Sequence, residues 1–170
     1  MDNQAFKDTV TTRLYGPNIR KFDRKRIVVL EAFIRSLAER GLADTSYASV
    51  ANILEMKPAH VAYYFSTWES MLEGAFRLAI HTAQEITIQG VVKAKNPLDK
   101  IRAIVYAPFE HFHRFPYHRA VLSAYHMQCI REPKFRAAHR EVREVGNERI
   151  RQILSAHFQK ALSQSEQRNL

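Results

Sequence analysis

Apolar positions recur along the chain at steps of three and four, the spacing of one helical face, and proline and glycine punctuate them. The run Ile27, Leu30, Phe33, Ile34, Leu37 and Ala38 predicts a helix over about 23–40, with Asp23 as N-cap and Gly41 as its stop. Two short helices follow. In the first, Tyr47, Val50, Ala51 and Leu54 form the core side, and Thr45 or Ser46 can accept from the free N–H groups of the first turn. Pro58 is tolerated only at the start of the next helix, so the first must end near 55–57. Val61, Tyr64 and Phe65 give that next helix an inward side, leaving Lys57, Ala59, His60 and Tyr63 outward. Ser66 or Thr67 then caps a helix running to about residue 94 through Trp68, Met71, Leu72, Ala75, Phe76, Ala79 and Ile80. Glu69 and Glu73 sit in its first turns, where carboxylates favour the positive end of the helix dipole.

Asn96-Pro97 opens a helix over about 97–113 with Leu98, Ile101, Val105, Phe109 and Phe112 along one side, and Pro108 inside it predicts a kink. Helices over about 116–131 and 133–163 follow, bounded by Phe115-Pro116 and Glu132-Pro133. The last has a stripe of Phe135, Ala138, Val142, Val145, Ile150, Ile153, Leu154, Phe158 and Leu162, interrupted by Gly146 at about 1 kcal/mol relative to alanine. Residues 1–22 lack a long periodic pattern and contain the breaker Gly16-Pro17-Asn18, so they read as a mobile arm in which AFKDTVTTRLY makes a marginal helix at most. The expected fold is all-α: an N-terminal arm over 1–22, a three-helix helix-turn-helix unit over 23–66, and a helical domain over 67–170.

Charge adds less than its size promises. The formal net charge of +9 favours a polyanionic partner, yet residues 1–67 carry ten Lys/Arg against seven Asp/Glu while residues 68–170 carry sixteen against ten. The helix-turn-helix half is therefore not singled out by charge. The densest basic run, Arg20, Lys21, Arg24, Lys25 and Arg26, fits either a solvated helix start or an arm on the DNA backbone. A single cysteine, Cys129, gives no internal disulfide, the polar N-terminus is no signal peptide, and no stretch is apolar enough for a membrane span, so a cytoplasmic protein is expected.

The residues 24–72 resemble the DNA-binding domain of the tetracycline-repressor (TetR) family of bacterial regulators. The likeness lies in RKRIVVLEAFIRSLAERGL, the Thr45-Ser46 cap, Val50-Ala51, Tyr63-Tyr64-Phe65, and Ser66-Thr67-Trp68-Glu69 with Leu72. It departs from the pattern where Glu55 replaces a turn glycine, Lys57 a hydroxyl cap, Ala62 a tyrosine and Trp68 a lysine. Glu55 must then hold positive φ or the turn must change. The resemblance implies a repressor that binds a palindromic operator in double-stranded DNA as a homodimer and is released by a small-molecule effector. It also implies that the helix after Thr67 joins reader to regulatory domain. Such regulators usually continue with two further helices that build the dimer interface, so the chain is expected to be short at its C-terminus.

The DNA-binding residues expected on this basis are Thr45, Ser46, Tyr47, Lys57, Pro58, Ala59, His60, Tyr63, Tyr64 and Thr67. His60 and Lys57 face base edges, and Thr45, Tyr63, Tyr64 and Thr67 hold phosphates. Phe76, Phe109, Phe112, Tyr125, His126 and Met127 read first as core and second as the lining of an effector cavity. His111, His113, His118 and His126 cluster without metal-ligand spacing, Cys129 has no basic neighbour nearer than Arg131, and no phosphate loop or catalytic constellation is present. No enzyme activity, cofactor, metal or membrane partner is expected. The alternative is a helical interaction protein or non-specific DNA binder that has lost effector sensing.

Overall fold

The computed structural model describes residues 3–168, with side chains for residues 4–155 other than 149 and 153. Eight helices, and no strand, are found among the described residues. They are α1 (Asn3–Tyr15), α2 (Lys21–Arg40), α3 (Tyr47–Ile53), α4 (Pro58–Tyr64), α5 (Trp68–Lys93), α6 (Pro97–Arg114), α7 (His118–Arg131) and α8 (Pro133–Arg168). The all-α expectation holds. No described helix is long and apolar enough to cross a membrane.

Local chemistry sets the ends. Ser46 caps α3 by accepting the Ser49 N–H at 3.2 Å, Thr67 caps α5 through Ser70 at 3.1 Å, and Asn96 caps α6 through Asp99 at 2.9 Å. Asp23, expected as the N-cap of α2, lies one turn in. Its carboxylate reaches back to accept the Arg20 N–H at 3.0 Å, and that bond holds its pKa below the usual carboxylate range. Gly41 ends α2 at φ 82, a conformation that costs a glycine little.

The N-terminal segment departs from the expected arm: α1 is docked. Thirteen residues make a marginal helix alone, and tertiary contacts supply what propensity does not. Phe6 and Val10 are buried, Asp8 accepts from Arg24 at 2.7 Å, and Arg13 donates to the buried Glu85 of α5 at 2.6 Å.

The core runs along α5, where Met71, Leu72, Ala75, Phe76 and Ala79 are fully buried. Gly146 has a packing reason that its helix-breaking cost hid. A side chain there would collide with Gln84, which donates to the Val142 carbonyl at 3.1 Å where α8 crosses α5. Phe135, Ala138 and Val142 of the α8 stripe are buried and Val145 is exposed, while Ile153, Phe158 and Leu162 lie outside the described side chains. On α6 the side turned to α5 is the one with Ala103, Ala107 and His111, and the apolar stripe Leu98, Ile101, Val105 and Phe109 faces solvent. The small residues permit close approach: a Cβ on Gly90 of α5 would stand 3.0 Å from Ala103 Cβ. The helix α6 is continuous through the exposed Pro108.

Candidate nucleic-acid interface

The turn between α3 and α4 accepts Glu55 at φ 53, the positive-φ alternative. The Met56 N–H donates to the Ala51 carbonyl at 3.0 Å and the Glu55 N–H to the Asn52 carbonyl at 3.4 Å, the paired bonds that close a helix around a left-handed residue. Pro58 then opens α4 with Lys57 in extended conformation before it.

Three cross-links hold the two short helices to the rest. Tyr47 donates its hydroxyl to the Phe65 carbonyl at 2.9 Å, tying α3 to the end of α4. Trp68 donates its indole N–H to the Thr45 carbonyl at 3.1 Å and lies edge-on to Phe33. Ser36 hydrogen-bonds Ser49 at 2.8 Å and lies 3.3 Å from the Thr45 hydroxyl, which donates to the Gly41 carbonyl at 2.8 Å.

That hydroxyl cluster corrects one expected site residue. Thr45 is buried and its side chain bonds inward, so it positions α3 instead of holding a phosphate. Val61 and Phe65 are buried beneath α4, while Lys57, Pro58, Ala59, His60, Tyr63 and Thr67 are exposed on the outer side of α4 and the start of α5. Ser46 is exposed with its hydroxyl engaged as a cap, and Tyr47 and Tyr64 are half-buried. Tyr63 is 73% exposed. Its ring meets Tyr64 and Phe22 edge-on, with centroids at 5.3 and 5.6 Å, and Phe22 also lies 5.1 Å from Tyr64. Phe22 escaped the sequence reading; an aromatic inside the basic run at the start of α2 was its signal.

The basic run is partly spent within the fold. Arg24 pairs with Asp8 and Arg20 with Asp23, and the Arg26 guanidinium lies 4.5 Å over the Phe65 ring. Lys21 and Lys25 are exposed, without an ion-pair partner among the described residues.

The six residues considered for an effector cavity do not assemble one. Phe76 and Tyr125 are fully buried and stacked with centroids 3.8 Å apart, so their rings fill the space a ligand would need. Phe109 and Met127 face solvent, Phe112 is half-buried, and the exposed His126 hydrogen-bonds His139 at 3.0 Å. A cavity of about 360 Å³ lies elsewhere, among α1, α2, α5 and the elbow between α6 and α7.

A buried histidine pair lies near that elbow. His111 and His118 are buried and share a hydrogen bond of 2.8 Å between Nε2 and Nδ1, and burial pushes both imidazoles well below their ordinary pKa, His111 to about 4. No group of three or more metal-ligating side chains occurs among the described residues. Burial raises the Cys129 thiol above its ordinary pKa, which disfavours the reactive thiolate.

Three helices closed on one core, the last with an outward polar side, followed by a long helix leading into a helical bundle, define the all-α tetracycline-repressor fold. No model of a known protein family matches the chain. It is similar to the HTH-type transcriptional regulator BetI of Burkholderia lata, 28% identical over 153 residues that cover 89% of this chain and 77% of that protein. BetI of Burkholderia cenocepacia is 27% identical with the same coverage. In three dimensions it resembles the crystal structure of a TetR family transcription regulator from Marinobacter aquaeolei VT8, with a TM-score of 0.59 and 20% identity over 87% of this chain and 71% of that one. In sequence the chain is thus similar to BetI-type transcriptional regulators, and in fold to a tetracycline-repressor (TetR) family regulator.

Proposed function

We propose that the protein is a transcription regulator, a repressor that binds a palindromic operator as a homodimer and leaves it when a small molecule binds. The observation that carries this reading is the outer side of α4. Lys57, Ala59, His60 and Tyr63 stand exposed on a helix whose opposite side, Val61, is fully buried and clamped to α2 and α3. A short, slim, hydrogen-bonding helix held this way suits the major groove. His60 and Lys57 reach base edges, Tyr63 and Thr67 hold phosphates, and Thr45, Tyr47 and Tyr64 orient the reader. The named role of the BetI relatives supports the same reading.

The proposed division of labour is a docked N-terminal segment over 1–22, a reader over 23–66 and a regulatory part over 67–170, with α5 as the joint. Selection from random duplex DNA at physiological salt tests it: a palindrome with half-sites about one helical turn apart is expected. The His60→Ala substitution should relax preference at one base pair by about 1–3 kcal/mol, and Tyr63→Phe should weaken all sequences alike. Uniform, steeply salt-dependent binding without an enriched palindrome would instead favour a non-specific DNA binder.

A further inference from the structure

The cleft beside α1 has the size of a small-molecule site, about 360 Å³ against a usual range of roughly 300–1,000 Å³. Its walls are mostly apolar, with Phe6 and Val10 from α1, Ile27 and Ile34 from α2, Leu78 from α5 and Phe115 from the elbow. The polar groups inside are already committed. The hydroxyls of Thr11 and Thr82 donate to carbonyls of their own helices at 2.7 Å, and His118 is bonded to His111. An occupant needs no hydrogen-bonding groups along its body.

The mouth is different. Lys7 and Glu31 face each other at 3.5 Å, both half exposed, and Arg114 completes the rim. The Arg114 guanidinium lies 4.8 Å over the Phe6 ring and 5.6 Å from that of Phe115. Its nearest carboxylate, on Glu110, is 3.8 Å away, beyond hydrogen-bond distance, so its N–H donors have no acceptor among the described residues. A cation pinned by two aromatic rings at the lip of an apolar cleft, with donors to spare, is matched by one anionic oxygen group on an apolar body.

We propose that this cleft binds an amphiphilic organic acid, its chain or ring lying against Phe6 and Phe115 and its carboxylate or sulfonate on Arg114 and Lys7. The walls join α1, α2, α5 and the elbow, so an occupant spreads the first helix of the reader from the long helix behind it. That regulatory consequence rests on the DNA-binding function proposed above; the binding itself does not.

The test titrates the full chain with decanoate, decanol and decyltrimethylammonium by calorimetry, and maps the site with a diazirine-bearing decanoate and mass spectrometry. The expected result is saturable decanoate binding about tenfold tighter than decanol, with crosslinks confined to residues 6–11 and 114–118. Arg114→Gln should abolish that preference while the thermal midpoint stays put, and Arg114→Lys should restore part of it. Equal binding of the three amphiphiles, or crosslinks on the exposed stripe of α6, would overturn the assignment. The operator assay keeps the two readings apart. Decanoate that binds at the cleft without changing DNA affinity supports the site and removes the regulated release; DNA binding without any decanoate binding removes the site and leaves the reader standing.

Discussion

The reader helices and α6 carry apolar stripes written in the same spacing, and they end in opposite surroundings. Val50, Ala51, Val61 and Phe65 are sealed against α2 and α5, whereas Leu98, Ile101, Val105 and Phe109 of α6 face solvent, Phe109 at 70%. The helix α6 is held instead by its small and polar side, Ala103, Ala107 and His111 against α5. A three-and-four pattern says that a helix has an apolar side. It does not say that this side meets the nearest helix of the same chain, because alanine and glycine allow backbones to approach closely and bury more contact per residue than their hydropathy suggests.

The largest expected effect separates the two stripes directly. Phe65→Ala should cost about 3–5 kcal/mol in urea unfolding and Phe109→Ala no more than about 0.5 kcal/mol. Equal costs would mean that the α6 stripe is covered in solution. The ion pairs that dock α1 repeat the contrast between buried and exposed. Arg13→Ala leaves Glu85, whose side chain is 6% exposed, with the Gln89 amide but no counter-charge and should cost about 3 kcal/mol, while Arg24→Ala breaks a solvent-screened pair and should cost less than about 1 kcal/mol.

Acid tests the polar side of α6. In the unfolded chain the imidazoles of His111 and His118 take up protons near their ordinary value, and in the folded one only at much lower pH, because burial disfavours the charged ring. The unfolded state therefore binds more protons across that interval. The stability is fully present above about pH 6.5 and is lost as pH falls from there towards about 4 for His111 and about 3 for His118. A loss on the order of 1–3 kcal/mol is expected, and replacing both histidines by glutamine should flatten this part of the stability–pH curve. A small effect of opposite sign belongs to the reader's turn: Glu55→Gly should stabilise the fold by about 0.5–1 kcal/mol, read as a raised thermal midpoint, by relieving φ 53.

Much of this molecule is legible in its residues, and what is hidden shares a cause. Caps and stops act over one turn of chain, so Ser46, Thr67, Asn96, Pro58 and Gly41 mark their helices in the sequence. The outward side of α4 follows from the same short-range logic. What escapes depends on partners far along the chain. Thr45 turns inward because Ser36 and Gly41 wait for its hydroxyl, and α1 is ordered because Glu85, 72 residues on, receives Arg13. The spacing of Phe6, Val10 and Leu14 by four did carry a signal for that helix, but the pattern is short and a breaker follows it. The expected effector lining failed for a related reason. Bulky aromatic residues in a helical domain are equally able to fill a space and to surround one, and Phe76 on Tyr125 fills it.

The hydrogen bond from Trp68 to Thr45 has a practical use. Trp68 is the chain's single tryptophan, and its indole is anchored where the reader's entry loop meets the first turn of α5, edge-on to Phe33. Tryptophan emission, excited at wavelengths that the tyrosines do not absorb, therefore comes from that joint alone. A change in its wavelength or lifetime reports water reaching the indole N–H or the ring leaving Phe33, which makes the joint an optical gauge built into the wild-type chain.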